Sequence, residues 1–238
     1  SRLRYPLRPL SVNAPLTHKN LLIVVVDSLR ADMLNNINMP NLQRYADQHL
    51  NFANHMSGGN DDVMGMFSLF YGLPGHYYDD IRNDKTPPVL FDEMLRQDYQ
   101  FGLFGALEDA QKYRQSILSG LRKQVFVSEQ TDDTQLIGDW QQWLAKRSPD
   151  RPWFSLVYLS SPGDYQLPAN VKGPFQPELT KFNPATAYQA ENLVKLENRY
   201  KNAVFYTDQL LEQMLAQLQQ QGLGEQTIVV VTANHGQE

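Results

Sequence analysis

The sequence predicts an α/β fold: a doubly wound, mostly parallel central sheet with helices on both faces. Three observations carry this. Asn20-Leu-Leu-Ile-Val-Val-Val-Asp27 is a continuous, β-branched apolar run, as in a parallel strand buried on both faces. Helical and strand patterns then alternate along the chain, the order that builds parallel sheets from crossover units. Finally, 238 residues with 42% apolar and 20% charged side chains can bury a sizeable core, as one large domain or two small ones.

Taken in order, the first strand stops at the polar Asp27. Met39-Pro40-Asn41 opens a helix, with Pro in its first turn and Leu42, Tyr45, Ala46 and Leu50 at helical spacing. Residues 52–55 carry a short strand pattern. The glycine turn Ser57-Gly58-Gly59-Asn60-Asp61-Asp62 feeds an apolar stretch, 63–71, expected to be a helix starting at Asp61 or Asp62 because acids favour helix N-termini. A helix over 86–97 and a strand over 101–106 form the next unit. Asp133 to Lys146 places Leu136, Ile137, Trp140 and Leu144 on one helical face, and 153–159 reads as a strand. A long helix over 187–221, with Val194, Tyr200, Val204, Leu211, Leu215 and Leu218, precedes a last strand at 227–231. Residues 161–184, with five prolines and little periodicity, read as a surface loop long enough for a lid or an interaction surface.

Charge and composition exclude several classes. With 21 basic against 26 acidic residues the net charge is −5, and no basic stripe offers itself to nucleic acid. The absence of Cys removes disulfides, zinc–thiolate sites and thiol nucleophiles. No apolar run approaches the ~20 residues of a membrane-spanning helix. The chain opens at Ser1 rather than Met, and Arg2, Arg4 and Arg8 precede any acid, so residues 1–19 read as a juxtamembrane lead-in and 20–238 as the folded domain. The end at Glu238, directly behind a motif-like His-Gly, reads as a truncation.

Three polar clusters share one edge of such a sheet: Asp27, the turn Asn60-Asp61-Asp62, and Asn234-His235. In open α/β sheets ligands gather beyond the carboxyl ends of the strands. Carboxylate and amide oxygens with one imidazole suit a hard divalent cation, Mg²⁺, Mn²⁺ or Ca²⁺, better than zinc. Such an ion would neutralise a phosphoryl or sulfuryl group. Taken singly, each residue also has an ordinary structural role: Asp27 as a helix cap, Asp61 and Asp62 satisfying free amides, His235 as a packing residue. His55 and His76 have no assignable partner, and Phe70-Tyr71 and Tyr77-Tyr78 read as packing.

The runs Asn20 to Asp27 with Ser28-Leu29-Arg30, Met39-Pro40-Asn41-Leu42, Tyr200 to Asp208, and Val230 to Gly236 occur in the order seen in the sulfatase/alkaline phosphatase superfamily, which the chain resembles from end to end after its lead-in. Pro6-Leu-Arg-Pro-Leu10, His55-Met-Ser57-Gly and Gly65-Met-Phe67-Ser-Leu-Phe70-Tyr71-Gly72 narrow the resemblance to sulfatase-like periplasmic domains of bacterial inner-membrane proteins. The resemblance implies a domain at the periplasmic face of the inner membrane, behind transmembrane helices. It further implies a role in outer-membrane and lipopolysaccharide homeostasis, contact with acidic lipids such as cardiolipin or a lipopolysaccharide-related lipid, and a membrane-protein partner. It places metal ligands at Asp27, Asn234 and His235, and the nucleophile position on Asp61, itself also a metal ligand. Two departures stand out. Relatives use Thr or Ser as nucleophile, or a formylglycine made within Cys/Ser-x-Pro-x-Arg, a run this chain lacks; and Asn234 stands where many relatives have Asp, which weakens a metal site. A catalytically degenerate domain that binds lipid or protein, a metal-dependent hydrolase or phosphoryl-group transferase, and a structural spacer are the alternatives.

Overall fold

The computed structural model describes residues 3–13, 18–105, 116–121 and 125–237. Five strands, β1 (Asn20–Val26), β2 (Gln100–Phe104), β3 (Phe126–Ser128), β4 (Trp153–Leu159) and β5 (Thr227–Ala233), form one sheet in the order β3-β2-β4-β1-β5. Every neighbouring pair is parallel. Among the described residues the α-helices are α1 (Pro40–Ala46), α2 (Asp62–Tyr71), α3 (Tyr78–Asp84), α4 (Val89–Arg96), α5 (Asp133–Lys146), α6 (Ser161–Asp164), α7 (Pro184–Ala187) and α8 (Leu193–Gln220).

Because successive side chains of a strand point to opposite faces, an unbroken apolar strand feeds two cores at once. In β1, Leu22, Val24 and Val26 enter a core with residues of α1, α5 and α8, whereas Ile23 and Val25 enter a second core with α2, α3 and α4. β4 divides the same way: Trp153, Val157 and Leu159 go to the first core, Phe154, Leu156 and Tyr158 to the second. The polar interruption, Ser155, is matched by Trp140 of α5, whose indole N–H donates to its hydroxyl at 3.1 Å. Leu3 and Tyr5 of the lead-in pack on the second core, the Tyr5 ring 5.2 Å from that of Tyr71.

Several expectations shift. Residues 52–55 are not a strand but an exposed turn, Phe52 being 75% exposed with no neighbouring strand to pair with. β3 and α3 lie where no element was expected. The long helix starts later than expected, at Leu193, after α7 and a 3₁₀ turn at Ala190–Asn192, and Ala106 falls outside the described residues.

α8 ties distant segments together with buried polar groups. Asp208 accepts the N–H groups of Asn41 (2.9 Å) and Leu42 (2.7 Å), capping α1 from outside because Met39 at its N-cap has no side-chain acceptor. The fully buried Asn202 clasps the 161–184 segment, accepting from Phe175 N–H (2.8 Å) and donating to Phe175 O (2.9 Å) and to Glu178 (2.7 Å). Asn198 and Arg199 donate to Pro177 O (2.8 Å) and Leu179 O (2.7 Å). Upstream, Asp133 accepts Ser160 N–H, Ser161 N–H and the Ser161 hydroxyl. The segment is therefore a strap fastened along its length.

Candidate functional site at the carboxyl ends of the strands

Asp27 follows the last residue of β1, and its N–H continues the ladder to Leu159 O at 2.9 Å. The chain then turns through Ser28 in the left-handed region, φ 54°. Two partners hold this turn. Ser28 N–H donates to Asn234 Oδ1 at 3.2 Å, and the Tyr200 hydroxyl of α8 donates to Ser28 O (2.8 Å) while accepting Arg30 N–H (3.0 Å). Asn234 and His235 follow β5, the strand beside β1, so parallel pairing sets both loops at one end of the sheet.

α2 brings the third component. Asp61 is its N-cap, exposed, its carboxylate accepting Met64 N–H at 2.8 Å, and Asp62 is the first helical residue. Gly65 lets the helix approach β5 closely: a Cβ there would collide with the carbonyl oxygen of Asn234. Gly163 of α6 does the same beside the Asp27 carboxylate.

The assembled cluster is Asp27, Asp62, Asn234 and His235. Asn234 is 1% exposed. Its Nδ2 donates to Asp27 Oδ1 at 2.9 Å and Asp62 Oδ1 at 3.0 Å, and lies 3.2 Å from the Tyr158 hydroxyl. Its Oδ1 accepts the backbone N–H groups of Ser28 and His235. His235 Nε2 lies 2.6 Å from Asp62 Oδ1 and 3.6 Å from Asp27 Oδ1, with Nδ1 2.6 Å from Gly236 O. Ligand atoms of Asp27, Asp62 and His235 all fall within 4.8 Å of one another, close enough for one cation.

Electrostatics follow from this packing. Burial pushes the Asp27 carboxyl up to about 6, with Asp62 raising it further and hydrogen bonds from Asn234 and Tyr158 opposing. The Asp62 carboxyl is held below its ordinary value, first by the hydrogen bond from His235. That bond pushes the imidazole up to about 9 against the opposing effect of burial. At neutral pH His235 is therefore an imidazolium paired with Asp62.

Of the residues singled out from the sequence, Asp27, Asn234 and His235 meet here; Asp61 stands next to the group and caps α2, while Asp62 occupies the pocket. Tyr158 and Tyr200 were missed. The signal for Asp62 was present in principle: an N-cap side chain folds back to the N–H three residues on, which commits Asp61 to Met64 and leaves Asp62 free. His55 and His76 are exposed, as befits surface residues.

The sulfatase family profile matches residues 19–238. The inner membrane protein YejM of Salmonella typhi is 30% identical over 235 residues, 98% of this chain and 36% of that protein, so the chain spans about a third of this relative's length. Two solved structures share the fold. Phosphonate monoester hydrolase of Agrobacterium radiobacter has a TM-score of 0.68 at 15% identity, covering 92% of this chain and 63% of that one. The integral membrane lipooligosaccharide phosphoethanolamine transferase A of Neisseria meningitidis has a TM-score of 0.68 at 18% identity, covering 94% and 43%. With the family pattern spanning the chain from the start of β1 to the cluster behind β5, and the parallel sheet carrying that cluster at its carboxyl end, this chain belongs to the sulfatase family.

Proposed function

We propose that this chain is a catalytically degenerate sulfatase-fold domain at the periplasmic face of the bacterial inner membrane. It acts in outer-membrane lipid and lipopolysaccharide homeostasis by binding lipid or protein, not by turning over an ester. The observation that carries this reading is at the head of α2. At the position to which the family resemblance assigns the attacking hydroxyl, the chain has Asp61, whose carboxylate is already engaged in capping Met64 N–H. No formylglycine precursor run replaces it.

The donor set fits a cation poorly. Asp27, Asp62 and His235 are near enough, but the group spanning the two carboxylates is the Asn234 NH₂, a donor with no lone pair to give a metal. The pocket is instead balanced from within, by the amide between the acids and by imidazolium on Asp62. The envelope role is supported by likeness to a protein named as an inner membrane protein; no helix among the described residues is long and apolar enough to cross a membrane.

The test is turnover. The purified domain, given p-nitrophenyl phosphate, p-nitrophenyl sulfate and a phosphonate monoester with Mg²⁺ or Mn²⁺, should show no hydrolysis above buffer. It should co-sediment with cardiolipin vesicles rather than with neutral ones. Metal-dependent hydrolysis abolished by Asp61→Ala defeats the reading. That result would favour the second one, a metal-dependent phosphatase or phosphoryl-group transferase, for which the proximity of Asp27, Asp62 and His235 is the supporting observation.

A further inference from the structure

We propose that the side-chain amide of Asn234 takes the place of a divalent cation in this cluster, so that this one atom, Nδ2 in place of an oxygen, makes the site independent of metal. This deepens the degenerate reading and rests on it.

Two carboxylates set close together in a half-buried pocket repel each other and need a positive partner between them. Nδ2 supplies one directly, directing its hydrogens to Asp27 Oδ1 and Asp62 Oδ1. The orientation of the amide is dictated by the backbone. Oδ1 receives the N–H groups of Ser28 and His235, and a nitrogen in that place could accept neither. Turning the amide to offer its oxygen to a cation would strand both donors beneath a residue that is 1% exposed. The left-handed Ser28 adds to this: its N–H reaches Oδ1 because its backbone turns back there. His235 Nε2 closes the other side of the group, 2.6 Å from Asp62 Oδ1.

The isosteric change Asn234→Asp leaves Oδ1 with its two backbone donors and converts only the bridging atom, from a donor to a third carboxylate oxygen. Three acidic oxygens and an imidazole then converge, a set that hard divalent cations bind and that is self-repelling without one. Affinity at oxygen sites rises with the number of charged ligands.

The experiment measures Mn²⁺ binding by calorimetry and thermal unfolding, with Mn²⁺ or with EDTA, on the wild-type chain and on Asn234→Asp. Wild type should unfold at the same temperature in both. Asn234→Asp should unfold lower in EDTA, recover in Mn²⁺, and bind Mn²⁺ at least about 10-fold more tightly than wild type. If Asn234→Asp folds only in the presence of the ion, that dependence is itself the expected result. Asn234→Ala, which removes the bridge without adding charge, should fall between the two in its response to Mn²⁺. Wild type that binds Mn²⁺ as tightly as Asn234→Asp, with loss of binding in Asp27→Asn, overturns the proposal. So does an Asn234→Asp protein indifferent to Mn²⁺. Ester turnover by a wild type that shows no response to Mn²⁺ would defeat the proposed function and leave this inference standing.

Discussion

At the scale of single residues, the His235–Asp62 pair has a definite pH signature in the metal-free protein. A histidine whose folded value is raised from 6.5 to about 9 contributes its full stability below about 6.5 and loses it as pH rises through about 9. Asp62, held below 3.8, contributes above that value and loses its share as pH falls past it. The pair therefore works best between about pH 4 and 6.5 and fades on the alkaline side. An imidazole titration followed by NMR should find His235 still protonated at pH 7.5 in wild type, and shifted down toward the ordinary histidine range in Asp62→Asn. The same substitution should flatten the alkaline decline in stability. Why sequence reasoning placed Asp61 rather than Asp62 in the pocket is visible at this scale too. The two acids are adjacent and alike, and a single hydrogen bond, Met64 N–H to Asp61, decides which one is left to face β5.

At the scale of elements, α1 depends on a cap supplied from another helix. Asp208→Ala leaves the N–H groups of Asn41 and Leu42 without their acceptor. It should cost about 1–3 kcal/mol, read as a lower urea midpoint with an unchanged slope. The Met39-Pro40-Asn41 start was legible because Pro suits a first helical turn. The distant acceptor was not, since nothing local to α1 signals a carboxylate more than 160 residues away. The same division holds for the strands. β1 and β4 carry long β-branched or aromatic runs that only a buried strand explains, and β5 carries a β-branched run of the same kind at the end of the sheet. β3 is three residues with Phe126 and Val127 exposed, too short to show a period and half in solvent. The 52–55 pattern failed for the complementary reason: a few apolar residues form a strand only when a neighbouring strand takes up their backbone groups.

At the scale of the whole fold, β5 is an end strand of the sheet formed by the described residues. β5 pairs with β1, and among the described residues no strand lies beyond it; Ile228 is 54% and Val230 37% exposed. An open, apolar parallel edge is a template for further pairing. Ile228→Lys should reduce concentration-dependent association, measured by light scattering, and change stability by no more than about 0.5 kcal/mol. Parallel pairing of β5 with β1 is also what made Asp27, Asn234 and His235 readable together. Residues just past the carboxyl ends of adjacent parallel strands have to be neighbours, whereas Tyr158 and Tyr200 reach the site through side-chain length and helix placement, which no linear pattern encodes.

The strap at 161–184 has a kinetic meaning. It begins beside Asp27 at Gly163 and is clasped by Asn202, Asn198, Arg199 and Asp133, which hold it against the body of the fold. With those clasps in place, a small molecule approaching Asp27 should meet a preformed wall. Its association rate should rise linearly with concentration, limited by diffusion and fit, with no plateau set by the opening of a gate.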